Sequence, residues 1–170
     1  MNFYDYVRNI QNFPKAGINF KDISPLLADK HALANCLSEL VVLVGSQKID
    51  KVAAIESRGF YFGTLLAHKL EAGFVPIRKP GKLPFKTIKE PYELEYGIDV
   101  LEIHEDAIEE GDRILLHDDV LATGGTARAA CNLIERLGGK IVQCNFILEL
   151  EFLYGIKKLQ DHSVCSFLKF

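Results

Sequence analysis

Residues 114–126 combine two adjacent carboxylates with a glycine pair, and both features can do chemistry on a phosphorylated ligand. An apolar run, residues 114–116, leads into Asp118 and Asp119 and predicts a strand buried on both faces of a parallel sheet. We expect the two carboxylates at the carboxyl end of that strand, where open α/β sheets bind their ligands. A carboxylate pair at this place can bind a diol or a metal ion.

The turn after this strand comprises Ala122, Thr123, Gly124, Gly125 and Thr126. The glycines let the backbone curl with its N–H groups pointing inward, and the threonine hydroxyls add further donors. The helix predicted to follow would present its positive dipole end to an anion. The turn therefore predicts a phosphate site, and a phosphate beside two carboxylates fits a phosphorylated ribose.

Apolar spacing divides the chain into alternating helices and strands. The predicted helices cover residues 3–10, 32–44, a stretch around 65–70 ended by Gly73, and 127–137. The predicted strands cover residues 52–55, 74–77, 114–116 and 141–148. A loop is predicted over residues 79–91, and residues 93–96 and 100–104 are predicted to form a hairpin around Gly97. This alternation predicts an α/β fold with a parallel sheet covered by helices on both faces.

Composition limits the classes of protein. With 170 residues, 48% of them apolar, the chain is expected to form one domain. A net charge of −3 without a basic run argues against nucleic-acid binding. No stretch suits a signal peptide or a bilayer span, and the four scattered cysteines suit reduced core thiols, so we expect a cytoplasmic protein. Neither a P-loop nor a dinucleotide-binding Gly-x-Gly-x-x-Gly after a strand is present.

Polar clusters follow three of the predicted strands, and parallel strands bring their carboxyl ends to one edge of the sheet. The three clusters are Glu56, Ser57, Arg58 and Gly59; Arg78, Lys79 and Lys82; and the acid pair Asp118 and Asp119. Cations and carboxylates would then meet in one crevice. Such a crevice suits a polyphosphate sugar carried with Mg²⁺.

The segment Asp-Asp-Val-Leu-Ala-Thr-Gly-Gly-Thr, residues 118–126, resembles the signature of the type I phosphoribosyltransferases, and in particular their adenine branch. The resemblance extends from residues 13–14 to about residue 148. It implies a central, mainly parallel sheet flanked by helices, with a small N-terminal hood (about residues 1–30) and a flexible catalytic loop (about residues 79–105). It also implies transfer of a phosphoribosyl group from phosphoribosyl pyrophosphate to adenine, giving AMP and pyrophosphate, with Mg²⁺ and a homodimeric assembly.

The resemblance assigns roles to individual residues. Residues 122–126 would bind the 5′-phosphate, whereas residues 56–59 with Arg78, Lys79 and Lys82 would bind the pyrophosphate, and a non-proline cis peptide is expected in the first of these loops. Phe20 would stack on adenine, while backbone groups of Ile18 and Lys21 read its edge. Glu95 and Tyr96 would lie on a closing flap, with Glu95 exchanging a proton with the purine. Asp118, Asp119 and Arg58 would complete the catalytic set, and Mg²⁺ would be held mainly by the substrate, with a water to Asp118.

Two other functions stay open from the sequence. A phosphoribosyltransferase for a 6-oxopurine tends to place a lysine near the base oxygen, and residues 145–149 contain none. A non-catalytic sensor of phosphoribosyl pyrophosphate usually adds a DNA-binding module or a basic face, and neither pattern occurs here. His117 departs from the apolar residue that relatives usually carry before the acid pair, and no role is assigned to it or to residues 164–170.

Overall fold

A computed structural model describes residues 1–93 and 97–170, which divide into two compact units, Met1–Glu39 and Leu40–Phe170. The first unit contains the 3₁₀ helix Phe3–Tyr6, strands β1 (Arg8–Gln11) and β2 (Asn19–Asp22), helix α1 (Ser24–Ala28) and the start of α2 (Lys30–Val44). Strands β1 and β2 pair antiparallel, with Ile10 opposite Phe20. A single domain spanning residues 1–170 stays a prediction.

A five-stranded parallel sheet forms the centre of the second unit, in the order β4-β3-β7-β8-β9. Its strands are β3 (Lys51–Ile55), β4 (Gly73–Ile77), β7 (Arg113–Leu121), β8 (Lys140–Glu149) and β9 (Val164–Lys169). The helices are α3 (Gly59–Lys69) and α4 (Gly125–Arg136), and the short 3₁₀ helices are Glu151–Leu153 and Gly155–Leu159. Strands β5 (Thr87–Glu93) and β6 (Ile98–His104) form a separate antiparallel pair. This architecture confirms the predicted α/β class and its parallel sheet.

One face of the sheet packs against α4 and the β5–β6 pair through a continuous apolar core. Ile55, Leu101, Leu116, Ile134 and Phe146 are all at most 2% exposed there. Burial of each such side chain contributes roughly 1.5–3 kcal/mol to folding, and it fixes the strand ends from which the polar clusters project.

Helix α3 packs against the opposite face, and Gly63 makes its close approach to β3 possible. A Cβ atom on Gly63 would lie 2.6 Å from the Cβ of Ala54 and 4.0 Å from His117 Cδ2. The helix therefore lies directly against β3 and β7. At the edge of the sheet, β4 carries Pro76 opposite Ala54 of β3.

The structure corrects the predicted N-terminal helix. Residues 3–10 form only the 3₁₀ turn Phe3–Tyr6, and β1 follows from Arg8. The helical spacing there was misleading, because long-range pairing with β2 fixes the backbone as a strand.

Three further boundaries differ from the predictions. Helix α3 ends at Lys69, and Gly73 begins β4 instead of ending the helix. Strand β5 starts at Thr87, so part of the predicted loop 79–91 is paired with β6. The predicted hairpin strand 100–104 lies within β6, whereas residues 94–96 of the other predicted strand lie outside the described residues. Asp118 and Asp119 lie inside β7, not beyond its end, because β8 continues the pairing up to Leu121. They do lie beyond the last residue that β3 pairs, which is Ala54 opposite His117.

All four cysteines are free thiols, as expected, and three of them are buried. The sulfur atoms of Cys131 and Cys144 are 3.7 Å apart in the core. No helix in the described part of the chain has both the length and the apolar character to cross a membrane.

Candidate active site

The loop between β3 and α3, residues 56–59, is called the arginine loop below. It contains a cis peptide bond between Glu56 and Ser57, which confirms the non-proline cis peptide expected from the resemblance. Gly59 begins α3, and a Cβ atom there would lie 2.9 Å from Asp118 Oδ1 and 3.2 Å from the His117 carbonyl oxygen. Only glycine therefore lets the arginine loop lie directly against the acid pair.

Arg58 joins the arginine loop to the acid pair through charge. Its Nε lies 2.5 Å from Asp119 Oδ2, and Asp119 is only 4% exposed. The backbone N–H of Asp119 donates to Asp118 Oδ1 at 2.9 Å. Burial, followed by the charge of the neighbouring Asp119, raises the pKa of Asp118 well above its usual value. The charged form of both carboxylates is thus disfavoured by burial, and a cation or hydroxyl donors at this place would favour it.

The Glu56 carboxylate binds groups of the second polar cluster, which contains Arg78, Lys79 and Lys82. Its carboxylate accepts from Arg78 Nε at 3.0 Å, from the Lys79 backbone N–H at 2.8 Å and from Lys82 Nζ. Burial alone would raise the pKa of Glu56, but the bonds from Lys82, Lys79 and Arg78 together lower it below its ordinary value. The Glu56 carboxylate therefore holds the side chains of Arg78 and Lys82. Pyrophosphate binding by residues 56–59 stays a prediction.

Residues 122–126, called the glycine loop below, connect β7 to α4. Gly124 has φ +78°, a left-handed conformation, and α4 begins at the next residue. A Cβ atom on Gly124 would overlap the carbonyl oxygen of Gly155, and one on Gly155 would overlap the carbonyl oxygen of Ala122. Two backbone segments therefore touch here without side chains between them. The loop leads into the N-terminus of α4, as the phosphate-site prediction requires.

The first unit carries the residues expected to recognise the base. Phe20 in β2 is half-buried, and its ring makes an edge contact with Phe13, at 5.2 Å between centroids. Lys21 Nζ donates to Asn9 Oδ1 at 2.5 Å, and Ile18 is 39% exposed. The hairpin thus supplies an aromatic pair with an exposed aliphatic neighbour, a surface able to accept a planar ring.

Glu95 and Tyr96, the predicted flap residues, lie outside the described residues. The flanking β5–β6 pair holds a polar group that the sequence did not suggest. Asp99 accepts from Lys79 Nζ at 2.5 Å and from the Tyr92 hydroxyl at 3.1 Å. Lys79 therefore links the hairpin to the segment after β4, and the Lys79 bond, which outweighs burial, lowers the pKa of Asp99.

Behind the acid pair, a buried polar chain crosses from β7 to α2. His117 Nδ1 lies 3.1 Å from Asn145 Oδ1, and the Asn145 amide donates to Gln143 Oε1 at 3.1 Å. The Gln143 amide then donates to the Leu43 carbonyl at 2.8 Å. Burial lowers the pKa of His117 to about 4, so the ring is neutral near pH 7. The sequence showed that His117 was unusual, but its partner sits 28 residues away and only the β7–β8 register reveals it.

A metal site built from protein side chains alone is not present in the described ranges 1–93 and 97–170, where no group of three or more His, Cys, Asp or Glu residues is arranged around one point. Asp118, Asp119 and Glu56 each bring a carboxylate to this edge. Of these, Asp119 and Glu56 are already paired with cations. Asp118 is the carboxylate best placed to meet a hard cation.

The family model that matches this chain spans the sheet edge described above. The model of the phosphoribosyl transferase domain covers residues 21–151, which include the arginine loop, the acid pair and the glycine loop. A parallel sheet with these three features at one edge defines a phosphoribosyltransferase of type I.

Individual relatives show which branch of the phosphoribosyltransferases the chain is most similar to. The chain is 59% identical over 170 residues to an adenine phosphoribosyltransferase of Christiangramia forsetii, covering all of this chain and 99% of that protein. The solved adenine phosphoribosyltransferase of Thermoanaerobacter pseudethanolicus is 49% identical, with a TM-score of 0.97 over 99% of this chain and 98% of that one. The enzyme of Saccharomyces cerevisiae, solved with adenine and an imino-altritol bisphosphate, is 40% identical, with a TM-score of 0.90 over 98% and 96% of the two chains.

The chain belongs to the adenine phosphoribosyltransferase family, whose members convert adenine and phosphoribosyl pyrophosphate into AMP and pyrophosphate. This membership confirms the fold and the enzymatic function that the resemblance implied.

Proposed function

We propose that the chain carries out the family reaction at the sheet edge where the arginine loop, the acid pair and the glycine loop meet. The observation that supports this most directly is the contact of Arg58 with Asp119 at 2.5 Å, because it joins a cation-bearing loop to the strand that leads into the glycine loop. One end of phosphoribosyl pyrophosphate would lie on each loop. The sugar would then lie over the acid pair between them.

The glycine loop would bind the 5′-phosphate through the backbone N–H groups at the start of α4 and through the hydroxyls of Thr123 and Thr126. Binding energy from this remote phosphate positions C1′ for reaction. The pyrophosphate would bind backbone groups of Ser57 and Gly59, with Arg58 able to contact two oxygens at once.

Arg78, Lys79 and Lys82 would supply the remaining positive charge for the pyrophosphate. Arg78 and Lys82 are held by Glu56, whose carboxylate is only 4% exposed, so their positions are fixed before the substrate arrives. Preorganised cations stabilise charge as it develops and need no reorganisation at the moment of reaction.

The acid pair would hold the ribose hydroxyls and stabilise positive charge that develops on the ring. In the displacement, the bond from C1′ to the pyrophosphate oxygen breaks with its electron pair leaving on pyrophosphate, and N9 of adenine bonds to C1′ as it loses its proton. Mg²⁺, when bound, would neutralise the departing pyrophosphate. It would be held mainly by substrate oxygens, with a water to Asp118, whose oxygen donors suit a hard cation.

Adenine would stack on Phe20, and backbone groups of Ile18 and Lys21 would read its edge, as the resemblance implies. Base stacking on an aromatic ring is worth about 1–3 kcal/mol in comparable sites. Glu95 would exchange the purine proton, and Tyr96 would close with it to exclude water.

We further propose a homodimer in the cytoplasm. The dimer rests on the family resemblance and is checked by light scattering after size exclusion. The four free thiols suit a reducing compartment.

The experiment is an assay of the purified protein with phosphoribosyl pyrophosphate, Mg²⁺ and each of adenine, hypoxanthine, guanine and xanthine. We expect AMP formation, with kcat/KM for adenine higher than for hypoxanthine by about 10⁴-fold or more, because a 6-oxo group presents an acceptor where the site needs a donor. Comparable values for hypoxanthine would contradict the base assignment. Binding of phosphoribosyl pyrophosphate without turnover of any base would instead favour a sensor.

A further inference from the structure

The 3₁₀ helix Gly155–Leu159 lies against the glycine loop, and its position is fixed by backbone contact. A Cβ atom on Gly155 would lie 2.9 Å from the backbone nitrogen of Gly124 as well as overlapping the Ala122 carbonyl. Gly155 itself is buried, although most of its neighbours in the helix are exposed. This helix is therefore a fixed wall beside the loop that we assign to the 5′-phosphate.

Lys158 lies on the face of this helix that meets the glycine loop. A 3₁₀ helix has three residues per turn, so residue 158 falls directly above residue 155. Its ammonium group does lie near the loop, since a Cβ atom on Gly125 would lie 3.7 Å from Lys158 Nζ. Lys157 points elsewhere, with its Nζ 4.6 Å from the centroid of the Tyr154 ring.

The glycine loop contains no charged residue, whereas a phosphate monoester carries close to two negative charges. Its donors are neutral N–H and hydroxyl groups. An ammonium group beside the first residue of α4 is opposed by the positive end of the helix dipole unless an anion is also present. The helix dipole alone therefore disfavours an ammonium group at this place, and a bound phosphate would offset that effect.

A cavity of about 210 Å³ borders the same place, lined in part by Gly125, Lys158, Arg128 and Asn132. The ammonium group of Lys158 therefore has open space beside the loop in which to follow an anion. Arg128, the other cation in this lining, lies 3.6 Å from Asp161. Asn132 donates to Glu90 at 2.7 Å. Both are engaged away from the glycine loop.

We propose that Lys158 is a further binding residue for the 5′-phosphate and supplies the positive charge that the glycine loop lacks. This inference rests on the proposed function, in which the glycine loop binds that phosphate. It predicts that Lys158 acts on ligands with a 5′-phosphate and is indifferent to the pyrophosphate and the base.

The test compares Lys158→Gln with Lys157→Gln, an exposed lysine in the same 3₁₀ helix whose loss changes the net charge equally. We expect Lys158→Gln to raise the Kd for AMP and the KM for phosphoribosyl pyrophosphate about tenfold, the scale of one charge-assisted hydrogen bond. The Kd for pyrophosphate and the KM for adenine should stay within twofold. Lys158→Arg should restore most of the AMP affinity, and Lys157→Gln should behave as the wild type.

Ionic strength and heat provide two further readouts. The AMP affinity of the wild type should fall more steeply with salt than that of Lys158→Gln, because one charged contact is missing in the variant. The Tm of free Lys158→Gln should be unchanged or slightly higher, whereas a purely structural lysine would lower it.

Thr126→Ala separates this inference from the proposed function. If Thr126→Ala weakens AMP binding and Lys158→Gln does not, the glycine loop binds the phosphate and the Lys158 proposal is wrong. If neither substitution weakens AMP binding, the assignment of the glycine loop itself fails. If Lys157→Gln and Lys158→Gln weaken AMP binding equally, the effect comes from the general surface potential, and the proposal is also wrong.

Discussion

The arginine loop and the glycine loop stand at the same sheet edge but are built on opposite principles. Around the arginine loop, charged side chains are already paired with one another, Arg58 with Asp119 and Arg78 and Lys82 with Glu56. The glycine loop has no charged side chain and is shaped by direct backbone contact with Gly155. One region orients cations that can respond to a departing group, whereas the other fixes a shape for a group that does not react.

The largest expected effect concerns the exchange of the purine proton, which we assign to Glu95 and not to either of these regions. Glu95→Gln keeps the size of the side chain and removes that exchange, so kcat should fall about 10²-fold or more. Single-turnover kinetics measure this, with the exposed Glu109→Gln as the control of equal charge change. If Glu95→Gln reacts at the wild-type rate in a single turnover, the purine proton is exchanged by charged residues at the sheet edge or by water, and not by Glu95.

Gly124→Ala tests whether shape alone makes the glycine loop. The new Cβ atom would overlap Gly155, and the φ of +78° is strained for alanine. Left-handed strain and overpacking together should lower the free energy of unfolding by roughly 2 kcal/mol or more, and displacement of the glycine loop from Gly155 should raise the KM for phosphoribosyl pyrophosphate. Gly111→Ala is the control, because its φ is +89° with nothing within 4 Å. If both variants lose the same stability and neither loses affinity, backbone contact with Gly155 does not shape the site.

Asp118→Asn tests the charged edge directly. We expect kcat to fall tenfold or more, a loss of about 1.4 kcal/mol or more in transition-state stabilisation. The Tm should be unchanged or higher, because the substitution removes a carboxylate whose pKa is raised by burial and by Asp119. The exposed Asp106→Asn serves as the control. Normal turnover with a lowered Tm would make Asp118 a structural residue.

The substitution Glu56→Gln tests whether Arg78 and Lys82 need the Glu56 carboxylate to hold their positions. Removing one partner of a buried ion pair leaves charge uncompensated, so the free energy of unfolding should fall by about 1–3 kcal/mol and the KM for phosphoribosyl pyrophosphate should rise severalfold. Because the folded pKa of Glu56 is lowered, its stabilisation is present above the unfolded pKa and is lost as pH falls through the folded value. Urea unfolding at several pH values measures the stability and its pH dependence, and steady-state kinetics measure the KM, with Glu149→Gln as a second buried acid. An unchanged unfolding curve would show that the cations hold their own positions.

The smallest expected effect on activity is that of His117, which lies behind both regions. Its folded pKa of about 4 is below the unfolded value of about 6.5, so the stability it provides is complete above pH 6.5 and declines as pH falls toward 4. Between pH 7.5 and 5.0 the wild type should lose about 2 kcal/mol more than His117→Gln. Urea unfolding at the two pH values measures this difference. Parallel losses in both proteins would assign the acid sensitivity to other groups.

The two regions also differ in how far the sequence predicts them. The glycine loop follows from local chemistry, since a glycine pair between a buried strand and a helix allows few conformations. The pairing of Arg58 with Asp119 and the role of Glu56 depend on which strands are neighbours and on their register. Residue types placed the three clusters at one edge, but they did not show that the Glu56 carboxylate pairs with Arg78 and Lys82. The error at β1 has the same origin, because its partner β2 is remote in sequence.

Pro76 affects how readily the protein aggregates, independently of substrate binding. It lies in β4 at the edge of the central sheet and has no N–H to offer to an approaching strand. An exposed edge of a parallel sheet is a template on which partly folded chains can add strands and aggregate. With Pro76 in that edge, a second chain finds an interrupted row of donors, so the edge of the sheet is less able to seed aggregation in a crowded cell.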